Sequence, residues 1–114
     1  MQRLTRRQDF LAAARAASQA MPGLVVQMRA RGDDEAARIG FTCTRKLGNA
    51  VTRNRIKRRL REAARLTLPG LARAGHDYVL IGRMTSGQRP FSALQQDLVI
   101  ALQRLHHTQA ATRT

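Results

Sequence analysis

Residues 46–65 read KLGNAVTRNRIKRRLREAAR, and the reading of this stretch decides the fold. At 100° per residue, Ile56, Leu60, Ala63 and Thr67 fall within about 60° of arc and form an apolar stripe. Asn54, Lys57, Arg58, Arg61 and Arg65 take the opposite face, with Arg55 beside them. Asn49 stands where an N-cap belongs, because its side-chain oxygen can accept from the first unpaired amides. Pro69-Gly70 is expected to close the helix. From residue 45 to residue 65 there are nine basic side chains (45, 46, 53, 55, 57, 58, 59, 61, 65) and one acid, Glu62. Solvated helices usually interleave acids at i,i+4 spacing, and this one does not. Its apolar stripe needs a body to dock on, and its other face presents a ladder of cations.

The flanking residues supply that body. Upstream, residues 5–17 read as a short helix with capping-box spacing between Thr5 and Gln8 and a face of Phe10, Ala13, Ala14 and Ala17. Pro22-Gly23 punctuates the chain. Residues 24–31 (LVVQMRAR) and 38–44 (RIGFTCT) read as strands, expected to pair antiparallel through the polar turn Gly32-Asp33-Asp34-Glu35. Downstream, residues 77–83 (DYVLIGR) are a nearly continuous apolar run, as in a strand covered on both faces. Ser92 has capping-box spacing to Gln95, and the helix it starts sets Phe91, Leu94, Leu98, Ala101, Leu102 and Leu105 on one side. The order helix, strand, strand, helix, strand, helix gives an α+β fold: a two-layer α/β sandwich with one small mixed sheet packed by helices. One domain is expected over residues 1–114, ordered from about 5 to 107, with 1–4 and 108–114 flexible.

Composition narrows the function. The 114 residues carry 21 Lys+Arg against 7 Asp+Glu, a formal charge of +14, while 43% are hydrophobic. That is enough apolar material for a core, so the charge belongs to a folded polyanion binder and not to a disordered basic tail. Aromatics make up only 4% with no Trp, which disfavours a stacking platform as the main device. A basic zipper needs heptads after the basic region, where Pro69-Gly70 stands instead. A membrane-surface helix needs bulky anchors, and this stripe offers Ile56, Leu60 and alanines. Structured RNA fits better. The lone Cys43, the absence of an apolar run of 18 residues and the polar start MQRLTRRQDF point to a cytoplasmic protein.

The run Arg45-Lys46-Leu47-Gly48-Asn49-Ala50-Val51-Thr52-Arg53-Asn54-Arg55-Ile56-Lys57-Arg58-Arg59-Leu60-Arg61-Glu62 closely resembles the signature of the bacterial ribonuclease P protein subunit. An Arg-rich start leading to Asp9-Phe10, an Arg-Ile-Gly-Phe strand and an Asp-Tyr-Val-Leu-Ile strand extend the resemblance over roughly residues 3–107. The resemblance implies the protein subunit of an endoribonuclease that removes the 5′ leader from precursor tRNA. It implies that catalysis resides in an RNA subunit with Mg²⁺ held mainly by RNA, and that the protein holds no metal or cofactor of its own. Its partners would be that RNA and precursor tRNA, with no further protein required. On this resemblance Arg53, Asn54, Arg55, Lys57, Arg58, Arg61 and Arg65 would contact the catalytic RNA. Phe10, Gln27, Thr42, Thr44, Arg45 and Lys46 would line a cleft for the single-stranded leader. The family fold also implies a left-handed crossover around the basic helix and a short extra strand, placed near Ser18 to Ala20.

Two departures bear on that cleft: positions 14 and 27, often aromatic in relatives, are Ala14 and Gln27, so leader binding would lean on phosphates and hydrogen bonds. Ala64 likewise stands at a position that is frequently aromatic. A protein-only nuclease would need carboxylates gathered on metal ions. Asp33, Asp34 and Glu35 read as a hairpin loop, and His106 and His107, adjacent on a helix, point about 100° apart. Cys43 reads as core filling. The alternative, a general RNA-binding or ribosome-assembly protein on a similar fold, shares the composition and is separated only by the long motif.

Overall fold

The computed structural model describes residues 1–112. Its elements are strand β1 (Gln2–Arg3), helix α1 (Arg7–Ala14), strands β2 (Ala17–Ala20), β3 (Leu24–Ala30) and β4 (Arg38–Thr42), helix α2 (Ala50–Leu71), strand β5 (His76–Gly82) and helix α3 (Phe91–Thr112). The five strands form one mixed sheet in the order β1-β4-β5-β3-β2. Alternation of side chains along each strand sends two sets to opposite faces. Val26, Met28, Ile39, Tyr78 and Leu80 meet Ile56, Leu60, Leu68, Leu98 and Leu102 of α2 and α3 in the main core. Val79 and Ile81 face the other way and pack with Leu4, Phe10 and Ala13, so the short α1 covers part of the reverse face.

The expected β3–β4 hairpin does not form. β5 lies between them, antiparallel to β3 and parallel to β4. The apolar run in β5 explains this: Tyr78, Val79 and Leu80 are all buried, and a strand buried on both faces takes a central place with a neighbour on each edge. The turn residues at 32–35 are polar enough for a hairpin, but local turn chemistry is worth less than burial of a central strand. β4, α2 and β5 thus form a parallel crossover unit with the basic helix as its connection.

Other expectations shift by a few residues. Thr5 and Gln8 make no capping box: α1 begins after Arg6 with no side-chain cap. It ends at Ala14 because residues 17–20 join the sheet as β2, the short strand implied near Ser18 to Ala20. Residues 2–4, expected to be flexible, are tied down, since Gln2 and Leu4 donate to Ala37 O and Ile39 O and Leu4 is buried. α2 does not stop at Pro69-Gly70 but runs to Leu71, closed by Ala72 N–H donating to Leu68 O at 2.7 Å. Proline in the last turn removes only the donor to the Arg65 carbonyl, on an exposed residue that water can reach. Likewise α3 starts at Phe91, not after Ser92, and runs to Thr112; residues 113 and 114 of the expected flexible tail lie outside the described residues.

Buried polar groups hold the helices to the sheet. Asp97 of α3 accepts from Gly23 N–H at 2.9 Å and from Arg89 Nε at 2.6 Å, which pins the β2–β3 turn. The Tyr78 hydroxyl accepts from Arg73 N–H at 3.0 Å and lies 2.8 Å from His106 Nε2. Burial lowers the His106 imidazolium from its usual 6.5 to about 4, helped by the nearby Arg73 and His76 charges. The unfolded chain therefore takes up this proton first. Its contribution is full above about 6.5 and is lost as pH falls from there to about 4, worth at most about 3 kcal/mol. Urea titrations across that interval should show a steeper loss in the native chain than in His106→Gln; equal slopes would contradict this.

Candidate nucleic-acid interface

Helix α2 is launched by a short sequence with three separate tasks. Leu47, at the end of a short 3₁₀ turn at Arg45–Leu47, is buried and anchors the turn. Gly48 has φ +129°, a backbone conformation only glycine adopts without strain. Asn49 then caps the helix, its Oδ1 accepting from Thr52 N–H at 3.0 Å, as its place in the sequence suggests. The buried stripe consists of Ile56, Leu60, Ala63, Ala64 and Leu68, with Thr67 half-buried at its margin. On the outer face Val51, Asn54, Lys57, Arg58 and Arg61 line one shallow groove. Asn54, Arg58 and Arg61 are exposed and make no hydrogen bond or ion pair to another described side chain.

The remaining basic residues of α2 are less free. Arg53 is half-buried, and its Nε is shielded with no partner among the described residues. Arg55 Nε donates to Gly87 O at 3.2 Å. Arg59 donates to Arg89 O and stands 6.0 Å from the Phe91 ring centroid, which fastens α2 to the start of α3. Arg65 pairs with Glu62 at 2.5 Å, on two exposed side chains, so water and salt screen the pair and it contributes little to stability. These contacts divide the ladder by face: Asn54, Arg58 and Arg61 are open, and Arg53, Arg55, Arg59 and Arg65 are shielded or partly engaged by the protein itself.

The residues expected to line a cleft fall on the opposite sheet face. Gly40 and Gln27 both lie across from Val79, and Thr42 lies across from Ile81. These positions share the face that α1 covers, and the Phe10 ring rests on Gly40. A Cβ at residue 40 would stand 2.5 Å from Phe10 Cε1, so only glycine leaves the ring its seat. Phe10, Gln27 and Thr42 are half-buried, whereas Thr44, Arg45 and Lys46 follow the end of β4 and are exposed. The structure thus gathers Phe10, Gln27 and Thr42 on one strip, and the chain leads from it through Thr44, Arg45 and Lys46 into α2. Ala14 is exposed at the end of α1.

An acid–arginine network holds α1 over this face. Register sets Arg29 of β3 and Arg38 of β4 directly opposite Asp77 of β5. Arg38 donates Nε and Nη2 to the two oxygens of Asp77, both at 2.8 Å, and Arg31 Nη1 donates at 2.6 Å. Asp9 of α1 reaches the same cluster, 3.4 Å from both Arg29 and Arg38. Burial alone would raise the Asp77 carboxyl; the hydrogen bonds from Arg38 and Arg31 override it and hold the group below its ordinary value. Asp9 carries Phe10 next in the chain, so the network also positions the ring.

Sequence reasoning does not identify Asp77, Asp97 or the Tyr78–His106 pair, because their partners lie between 8 and 74 residues away. The one available signal is an acid or histidine inside an apolar pattern. Cys43 is half-buried, and burial raises its thiol despite Lys57, Arg61 and Arg53 nearby, so it remains protonated and unreactive. Among the described residues no three His, Cys, Asp or Glu side chains gather where they could hold a metal ion. Asp9 and Asp77 are already committed to arginines. No helix among the described residues is long and apolar enough to cross a membrane.

The family model for ribonuclease P matches residues 1–106. The chain is 57% identical over 106 residues to the ribonuclease P protein component of Ruegeria pomeroyi, spanning 90% of this chain and 85% of that one. It is 52% identical over 102 residues to the corresponding component of Caulobacter vibrioides, spanning 89% and 68%. Among solved structures, it superimposes on the Staphylococcus aureus RNase P protein with a TM-score of 0.76 at 27% identity, covering 92% and 95% of the two chains. The Thermotoga maritima RNase P protein gives 0.74 at 31% identity, covering 91% and 97%.

Proposed function

The chain belongs to the ribonuclease P protein family, and from that premise we propose that it binds the RNA subunit through the outer face of α2 and the 5′ leader of precursor tRNA along the α1 face of the sheet. It is a component of an endoribonuclease of tRNA processing, and membership implies an RNA subunit as its partner. The observation that supports the RNA contact is the division of α2 into two faces. Leu60 and Ile56 are fully packed, while Asn54, Arg58 and Arg61 stand free at one-turn spacing on the other side. Each phosphate neutralised there releases condensed counterions, so affinity should fall steeply with salt.

For the leader, Phe10 offers a partly exposed ring, Gln27 and Thr42 offer hydrogen bonds, and Arg45 and Lys46 offer charge at the far end. With one aromatic side chain on the strip, phosphates and hydrogen bonds carry most of the contact. Bond cleavage is assigned to the RNA. Mg²⁺, when bound, would supply Lewis-acid chemistry from sites made mainly by RNA, since the protein's carboxylates nearest the strip already serve arginines.

The test adds purified protein to its cognate RNA subunit at low Mg²⁺ and follows removal of the 5′ leader from precursor tRNA. Faster cleavage in the presence of protein is the expected result. No enhancement, or hydrolysis by the protein without RNA, would overturn the reading.

A further inference from the structure

On the main-core side of the sheet, away from the α1 strip, the β1–β4 edge and the second half of α2 leave a slot. Its floor is carbon: Ile39, Phe41, Ala64 and Leu68, with Pro69 at one end. Met1 and Arg3 form one lip, and Arg61 and Arg65 form the other. The first lip exists because β1 pairs with β4, which brings Arg3 opposite Ile39. From there the Arg3 guanidinium stands 5.9 Å from the Phe41 ring centroid. Ala64 contributes only a methyl group where a longer side chain would fill the space.

We propose that this slot receives one unstacked base of the RNA subunit, with a flanking phosphate on Arg61 and Arg65; the inference rests on the function proposed above. An apolar floor between cationic lips selects a ligand that is flat and carbon-rich in one part and anionic in another. A nucleotide has that form. The base lies against Phe41 and the Ala64 methyl with the Arg3 guanidinium over it, and the phosphate meets the arginines. Continuity favours RNA over a peptide, because Arg61 belongs both to the slot and to the groove on the outer face of α2. A strand of RNA on that face needs to turn out only one base to reach the slot. Glu62 competes for Arg65 at 2.5 Å, and a phosphate would displace it.

The test is base-specific chemical probing of the RNA subunit, free and bound to three proteins: native, Ala64→Leu, and Arg3→Met. Ala64→Leu fills the slot. Arg3→Met removes the exposed guanidinium and keeps the stem. Native protein should protect one unpaired nucleotide that Ala64→Leu leaves reactive, with the rest of the footprint intact and affinity about tenfold weaker. Arg3→Met should weaken protection of the same nucleotide, and it decides the matter alone if Ala64→Leu fails to fold. Unchanged footprints with affinities within twofold would overturn the slot. In that case a continued loss in Arg58→Ala would leave the RNA-binding role of α2 standing. If native protein does not bind the RNA subunit, both readings fall. A change in self-association without a change in footprint would assign the slot to a second copy and overturn the proposal.

Discussion

Asp77→Ala is expected to cost about 3–5 kcal/mol, a large part of the stability of a domain this size, measured by urea denaturation at neutral pH. Asp77 has no exposed surface, and it receives three charge-assisted hydrogen bonds from Arg31 and Arg38. The size of the effect comes from what truncation leaves behind. Arg31 has only 7% of its side chain exposed and would lose its shortest bond, the one to a fully buried carboxylate, keeping as its acidic partner only Asp33, whose side chain is 40% exposed. Its bonds to Asp33, at 3.1 Å from both Nε and Nη2, and to His76 O, Glu35 O and Ala36 O remain, but the solvent-screened Asp33 offsets the half of the cation facing Asp77 only weakly. Exchange of the whole cluster for apolar residues of similar volume should cost far less, because desolvation of the charges disappears together with their attraction. Asp77→Leu combined with Arg31→Met and Arg38→Met should therefore recover much of the loss. If the single change costs under about 1 kcal/mol, the network does not hold the sheet together.

The sign of the pH effect follows from the same contacts. The folded Asp77 carboxyl sits below its ordinary value, so its contribution is present above the unfolded carboxylate range. It is lost as pH falls from that range through the folded value, a window more acidic than the one in which His106 acts. The network also carries function. It holds Asp9, and thus Phe10, over Gly40, so partial loss of the cluster should loosen the strip before the α2 face is affected.

What can be read from the sequence divides along physical lines. α2 and its two faces, the Asn49 cap, the buried run of β5 and the apolar side of α3 are readable, because each depends on neighbours within one or two turns. The β3–β4 pairing misleads for the opposite reason. Gly32-Asp33-Asp34-Glu35 carries good turn chemistry, but the pairing is decided by β5, some 40 residues on, which needs both edges covered. β1 gives no signal because two residues have no period, and Leu4 is held by Ile39 O, far along the chain. The polar cores at Asp77, Asp97 and His106 are unreadable for the same reason. For the candidate site, the residues of α2 and the strip can be named from the motif, but their freedom cannot. That Arg55 is held by Gly87 and Arg65 by Glu62, while Arg58 stands clear, depends on rotamers and neighbours.

That difference selects the variants for the RNA interface. Arg53 and Arg55 are poor probes, since one is half-buried and the other bonds a loop carbonyl, so their removal mixes stability with binding. Arg58→Ala with Arg61→Ala removes two free guanidinium groups from exposed positions. Stability should stay within about 0.5 kcal/mol of native, as for surface changes away from special interactions. Binding to the RNA subunit should weaken most at low salt, and the slope of log affinity against log salt should flatten by up to about 2, one for each phosphate that is no longer neutralised. Leu60→Ala is the converse. Leu60 is fully buried on the same helix, one residue before Arg61, and its truncation should cost about 2–4 kcal/mol while leaving the salt slope of the folded fraction unchanged. Neighbouring residues that separate so completely, one into stability and the other into counterion release, would locate the RNA on the outer face of α2. If Leu60→Ala flattened the slope, or if the arginine pair melted the fold, the polyanion would have to be sought on a different surface.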